Sequence, residues 1–338
     1  MAGGEERELR RRIRSVSATK KITRAMELIA ASQMVRAQGR IAGARPYVEG
    51  IGKVLEVTAA EAAGASRLIG TPEEVRRGLV VAVVSDRGLA GGYNSAVLRA
   101  TLRHLRAGEG GGTSYRLVTV GRKAQSFFRF NEREVAHAFT KMTDRPRFED
   151  ARAVAAELVA PFLAGEVDLV ELVSTRFVSS GVQRVERRQI LPLPEVAGAG
   201  GRAAGEAAGG DSAGHGEAGA ASAEATAGRY EFEPEPEDLL RLLVPQYAEA
   251  VVYQALLEAS AAEHTARQRA MSAATENAEE LITTYRRAMN RARQEAITTE
   301  IMEIVGGAEA LRQAGGDERA VEVATTSSGA RYNEERTA

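Results

Sequence analysis

Near the C-terminal end, Leu257, Ala261, His264, Gln268, Met271, Thr275, Ala278, Ile282, Tyr285, Met289, Ala292, Ala296 and Thr299 recur at spacings of four and three without a break. A repeat averaging 3.5 keeps these side chains on one face of a helix and requires a second helix along that face. The polar members His264, Gln268 and Thr275 weaken such a seam and help to set its register. The helical pattern occupies 237–306, with Pro234 and Pro236 before it, Asp238 as its N-cap and Gly306 with Gly307 as its end. A helix of that length reaches about 100 Å. The opposite terminus, residues 1–65, carries a matching seam at Met34, Ala37, Ile41, Ala44, Val48, Ile51 and Leu55. Leu9, Ile13 and Val16 repeat the rhythm earlier, and a phase slip is expected through Lys20 and Lys21. Pro46 should kink this helix or remove one hydrogen bond without ending it. The two ends are therefore expected to form a long antiparallel coiled coil.

Between them, residues 75–195 read as an α/β domain. The run 79–84 is apolar, β-branched and of strand length, as for a strand covered on both faces. Helical segments at 95–106, 123–130 and 148–163 alternate with strands at 115–120, 168–174 and 183–191, a Rossmann-like layering. Residues 196–228 are nearly all Gly and Ala with a few charges, a composition that cannot offset the entropy of ordering, and read as a flexible insert. A polar tail, 311–338, follows the second long helix.

The chemistry open to such a chain is narrow. Cysteine is absent, and the four histidines, His104, His137, His215 and His264, show no metal-ligand spacing. No catalytic, cofactor or metal site is expected. Lys plus Arg number 45 against 46 acidic residues, a balance that argues against a nucleic-acid backbone as the main partner. No apolar run approaches the roughly 20 residues needed to span a bilayer. The N-terminus mixes Glu5, Glu6 and Glu8 with its arginines, unlike a signal or transit peptide. The basic residues Arg7, Arg10, Arg11, Arg12, Arg14, Lys20, Lys21 and Arg24 lack interleaved aromatics and read as a solvated or partner-facing face. Ser85-Asp86-Arg87-Gly88-Leu89-Ala90-Gly91-Gly92-Tyr93-Asn94 lies where phosphate loops occur, yet matches neither G-x-x-x-x-G-K-[ST] nor G-x-G-x-x-G. Its glycines read as a tight strand-to-helix turn. An adaptor whose helices pair between chains, and a nucleotide-dependent enzyme using Gly88 to Gly92, are the rival readings.

The most specific segment is 293–308. Ile297, Ile301, Ile304 and Val305 form an apolar stripe, with Arg293, Gln294, Thr298 and Glu300 one or two turns away. Core packing within the chain is the plain alternative to a tip buried in a partner. Ile297-Thr298-x-Glu300-x-x-Glu303-x-x-x-Gly307-Ala308-x-Ala310 closely resembles the C-terminal signature of the gamma subunits of F-type ATP synthases. Lys21-Ile22-Thr23-Arg24-Ala25-Met26 with Ala30-Ala31-Ser32-Gln33-Met34 looks like that family's N-terminal helix. Ser85-Asp86-Arg87-Gly88-Leu89-x-Gly91-Gly92-x-Asn94, Ile190-Leu191-Pro192-Leu193-Pro194 and Tyr247-x-x-x-x-Val252-Tyr253 are similar to further family segments. The likeness spans 5 to about 311 apart from the insert.

The resemblance implies a non-catalytic rotary shaft. It would turn inside three alpha and three beta subunits, beside the epsilon subunit and on a membrane c-ring. It also implies a peripheral position at the cytoplasmic face of a bacterial cell membrane, reached only through the c-ring. Ile297, Ile301, Ile304 and Val305 would then be an apolar bearing tip. Arg24, Met26, Arg293, Gln294, Thr298 and Glu300 would meet the stator, and Tyr47, Phe232, Glu233 and Pro234 would form a foot toward the c-ring or epsilon. The insert lies where plastid members carry a redox loop. Without cysteine it cannot be a thiol switch, which leaves a neutral linker or a different brake on hydrolysis. The tail extends past the family's usual end.

Overall fold

A computed structural model describes residues 2–61, 68–70, 72, 74–193 and 233–331, with side chains up to Arg312. The insert 196–228 lies outside the described residues. Helix α1 (Ala2–Glu61) is followed by β1 (Arg77–Val83), α2 (Tyr93–Gly110), β2 (Ser114–Val120) and α3 (Arg122–Phe130). Then come β3 (His137–Phe139), α4 (Phe148–Leu163), β4 (Leu169–Phe177), β5 (Gln183–Leu191) and α5 (Pro236–Arg331). Two compact units result, one from 25–272 and one from 1–24 with 273–338.

In the larger unit the five strands are ordered β3-β2-β1-β4-β5. All neighbouring pairs are parallel except the last, in which β5 runs antiparallel to β4 along the sheet edge. The unbroken apolar run of β1 has a direct cause. Leu79, Val81 and Val83 enter one core with α4, the end of α1 and the start of α5, while Val80, Ala82 and Val84 enter another with α2 and α3. A central strand has no solvent face, so alternation disappears. β5 sits at an edge and carries Arg184, Glu186, Arg187 and Arg188, charges that discourage further strand pairing. The three-residue β3 was not foreseen; it is too short for its pattern to be seen.

In the same unit Ile51, Leu55 and Ala59 of α1 share a core with Leu240, Val244, Ala248 and Val251 of α5. In the smaller unit Thr23 and Thr275 join hydroxyls at 2.8 Å, and Lys20 Nζ lies 2.6 Å from Glu279. Numbering falls along one helix as it rises along the other, so the pair is antiparallel and formed from the chain's own ends. Its α5 side buries Thr275, Ala278, Ile282 and Ala292, with Tyr285, Met289 and Ala296 half-buried, as the heptad rhythm requires.

Three expectations need correction. No phase slip occurs at Lys20 and Lys21. The shielded positions of α1 run Leu9, Ile13, Val16, Lys20, Thr23, Glu27, Ala30, Met34, Ala37 without interruption. Polar residues occupy the seam where the slip seemed to fall, and Thr23 is accommodated by its hydroxyl partner. Asp238 is not the N-cap: α5 begins at Pro236, where a missing N–H costs nothing, and Asp238 lies in its first turn. Nor do Gly306 and Gly307 end the helix, which continues to Arg331. Glycine lowers helix stability by about 1 kcal/mol relative to alanine but obstructs no backbone hydrogen bond. Much of the expected polar tail is thereby helical. Pro46 is carried inside α1.

Candidate functional site

In open α/β sheets ligands bind beyond the carboxyl ends of the strands, where successive connections leave in opposite directions. Here that point lies between β1 and β4. The β1 loop is held by its own side chains. Asn94 Oδ1 accepts the Ser85 N–H at 2.9 Å, and the Ser85 hydroxyl bonds the Arg87 carbonyl. Asp86 accepts the Arg122 N–H at the start of α3 at 3.0 Å, and the Thr143 hydroxyl at 3.1 Å. Asp86 thus occupies the start of α3, whereas α2, the helix that follows this loop, has Gly92 at its N-cap and no side-chain cap. Gly121, at φ 98°, allows this turn: a Cβ there would lie 2.2 Å from the Val84 carbonyl oxygen.

Helix α5 fills the remaining crevice. Ala262 and Ala266 pack with Ala90, Tyr93 and Phe177, and Gly91 faces Ala270 closely. Arg267 donates to Glu263 at 2.6 Å and reaches the Gly88 carbonyl at 3.4 Å. Burial pushes the Glu263 carboxyl up to about 6 against the opposing pull of Arg267, and pushes the Tyr93 hydroxyl well above its ordinary value. The enzyme reading at Gly88 to Gly92 therefore meets a crevice occupied by the protein's own helix. Among the described residues no cluster of His, Asp or Glu could hold a metal ion.

What the molecule offers instead is surface on its long helices. Thr23 lies opposite Thr275, and this register places the first residues of α1 opposite Ala296. Beyond that point no helix lies beside α5 among the described residues. Every side chain from Ile297 to Arg312 is exposed, including Ile297 at 49%, Ile301 at 54%, Ile304 at 67% and Val305 at 59%. Among the described residues nothing buries them in a core. Arg293, Gln294, Thr298 and Glu300 are also exposed. Helical spacing groups Arg293, Ile297, Ile301 and Ile304 on one face, with Gln294, Thr298 and Val305 beside it. Thr298 turns its hydroxyl back to the Gln294 carbonyl at 2.9 Å.

Arg24, exposed, and Met26, half-buried, lie on α1. By the Thr23 register Arg24 is about 28 Å of helix from Arg293, so the expected stator contacts form two bands. Tyr47, Glu233 and Pro234 are exposed, and Phe232 lies outside the described residues. The basic start of α1 is partly compensated along its own helix, where Glu6 pairs with Arg10 and Glu8 with Arg11 and Arg12. These arginines hold the Glu8 carboxyl below its ordinary range. Sequence reasoning missed Leu28, Ile29 and Val35, apolar residues exposed on α1. Their signal was the i, i+7 spacing of Leu28 and Val35, off the shielded face.

The chain thus combines an antiparallel pairing of its terminal helices with an α/β unit whose strand-end crevice is filled by α5. The family model described as ATP synthase matches residues 5–311. The ATP synthase gamma chain of Frankia casuarinae is 44% identical over 91% of this chain and 98% of its own length; that of Kineococcus radiotolerans is 41% identical over 92% and 98%. The chain belongs to the ATP synthase gamma chain family. Among solved structures it resembles a chain of the Tetrahymena thermophila mitochondrial ATP synthase central stalk and c-ring. The TM-score is 0.55 with 22% identity, covering 75% of this chain and 99% of that one. A chain of the Euglena gracilis mitochondrial ATP synthase gives 0.59 with 17% identity, covering 91% and 95%. At such identities these two establish the fold. No helix among the described residues is long and apolar enough to cross a membrane.

Proposed function

We propose that this chain is the central rotary shaft of an F-type ATP synthase. It couples proton-driven rotation of a c-ring to ATP synthesis, or hydrolysis to reverse rotation, at three beta sites alternating with three alpha subunits. The observation that carries the reading is the apolar stripe Ile297, Ile301, Ile304 and Val305 of α5, exposed among the described residues. Apolar contact is non-directional, so Ile297, Ile301, Ile304 and Val305 can turn in an apolar sleeve without breaking discrete bonds. Arg293, Gln294, Thr298 and Glu300 meet the stator through hydrogen bonds made and lost with angle, and Arg24 and Met26 form the second band of contact. Tyr47 and Phe232-Glu233-Pro234 form the foot toward the c-ring or epsilon. The complex works at the cytoplasmic face of a bacterial membrane, and this chain reaches the membrane only through the c-ring.

Arg293→Ala and Gln294→Ala test the assignment. Each should lower coupled ATP turnover in the assembled complex while the circular dichroism and melting of the isolated chain stay as they were. Unchanged turnover in a fully assembled complex would refute the role given to these residues.

A further inference from the structure

A cavity of about 660 Å³ opens in the larger unit among α1, the segment joining β3 to α4, and α5. That volume is in the range of small-molecule sites, about 300–1,000 Å³. Its lining carries four cations, Arg40, Lys141, Arg145 and Arg147, against two carboxylates, Asp144 and Asp150. The formal balance of the lining is thus cationic by two. Asp150 accepts the backbone N–H of Arg147 at 2.8 Å, and Asp144 lies 3.8 Å from His264, whose ring also meets the Asp144 carbonyl at 3.2 Å. None of the four cations makes an ion pair among the described residues.

Three further features point to an anionic ligand. The Arg40 Nε is buried and has no hydrogen-bond partner, a costly state for a charged donor unless an acceptor enters. Lys141 holds φ at 68°, a left-handed conformation disfavoured for a residue with a Cβ, which recurs at ligand sites. The sixteen-residue helix α4 begins at Phe148 on the same wall, adding the positive end of its dipole. Phe148 and Tyr253 meet edge to face with ring centroids 5.5 Å apart beside the charges, with Arg152 over one face of the Phe148 ring at 5.4 Å.

We propose that this cavity binds a nucleoside polyphosphate, with the phosphoryl groups on Arg40, Lys141, Arg145 and Arg147 and the base against Phe148 and Tyr253. A single phosphate would leave most of the volume empty. The site is separate from the crevice between β1 and β4, which α5 closes.

Isothermal titration of the purified full-length chain at low ionic strength tests this, with ATP as the probe and tripolyphosphate as its base-free counterpart. ATP should saturate one site. Arg40→Gln with Arg145→Gln should weaken it at least tenfold, and exposed Lys141→Gln, which leaves packing untouched, several-fold. Phe148→Leu should weaken ATP but not tripolyphosphate. Unsaturable heat up to millimolar ATP would overturn the proposal, as would affinity indifferent to the Arg and Lys variants in chains with unaltered circular dichroism. Tripolyphosphate binding as tightly as ATP, with no effect of Phe148→Leu, would overturn the nucleoside assignment. Binding of an oligoglutamate peptide in place of ATP would make the face a contact for an acidic protein instead.

Discussion

Between Val251 and Thr265 helix α5 is buried on nearly every side, whereas from Ile297 to Arg312 the same helix is exposed on every side. Both stretches are rich in apolar residues, so hydrophobicity alone does not distinguish them. The first lies against the sheet core and the β1 loop, and every polar group it carries needs a local answer. Glu258 accepts from Gln254 at 2.9 Å, Ser260 donates to the Asp144 carbonyl at 3.1 Å, and Glu263 faces Arg267. The second is covered by none of the described residues, and its Ile297, Ile301, Ile304 and Val305 are exposed. One stretch is an anchor and the other a bearing surface. The half-buried heptad face between them marks the change from one to the other.

The contrast can be broken most sharply by truncation in the anchor. Leu256 is fully buried in the main core, and Leu256→Ala should cost about 2–5 kcal/mol in urea denaturation. A loss under about 1 kcal/mol would mean that this part of α5 is not fixed to the α/β body as described. The anchor should also respond to acid through Glu263. Its carboxyl is raised from 4.5 to about 6, so the folded chain binds a proton across that window while the unfolded chain does not. This group's contribution to stability therefore falls as pH rises from 4.5 to about 6, by on the order of 2 kcal/mol, and stays lower above. Glu263→Gln should flatten that part of the stability–pH curve; an unaltered slope would show that another group causes it.

Smaller effects belong to the paired helices. A double-mutant cycle with Thr23→Val and Thr275→Val should return a coupling of about 0.5–1.5 kcal/mol for the buried hydroxyl pair. No coupling would place the two residues out of register. The smallest change is expected at the tip. Ile301→Ala should leave the isolated chain within about 0.5 kcal/mol of the parent, since its side chain is already exposed. A large loss would show that the tip packs on its own chain.

Much of this molecule was legible because its signals are periodic or compositional. The long helices follow from seams of threes and fours, and β5 and α4 from short runs whose boundaries match the structure. Lys20, Thr23 and Glu27 hid the continuity of the first seam, because a hydropathy pattern does not show that a hydroxyl across the helix pair can satisfy Thr23. Gly306 and Gly307 looked like a stop for a similar reason. A residue that weakens a helix reads as one that ends it, although only a change of backbone angle does so. The tip stripe was visible at Ile297 and Ile301, but its exposure was not. Exposure depends on where α1 begins relative to α5, which is a matter of register between distant segments.

The sequence alone determined the helix seams, the α/β alternation, the lack of thiol chemistry and, through its signature segments, the family. These are local properties, set by backbone periodicity and side-chain chemistry within a few turns. Tertiary structure decided that α5 closes the crevice beside Gly88 and Gly91, that Asp86 occupies the start of α3, and that Arg40 and Arg145 line one cavity. Each of these joins residues far apart in the chain, through packing that no local pattern encodes.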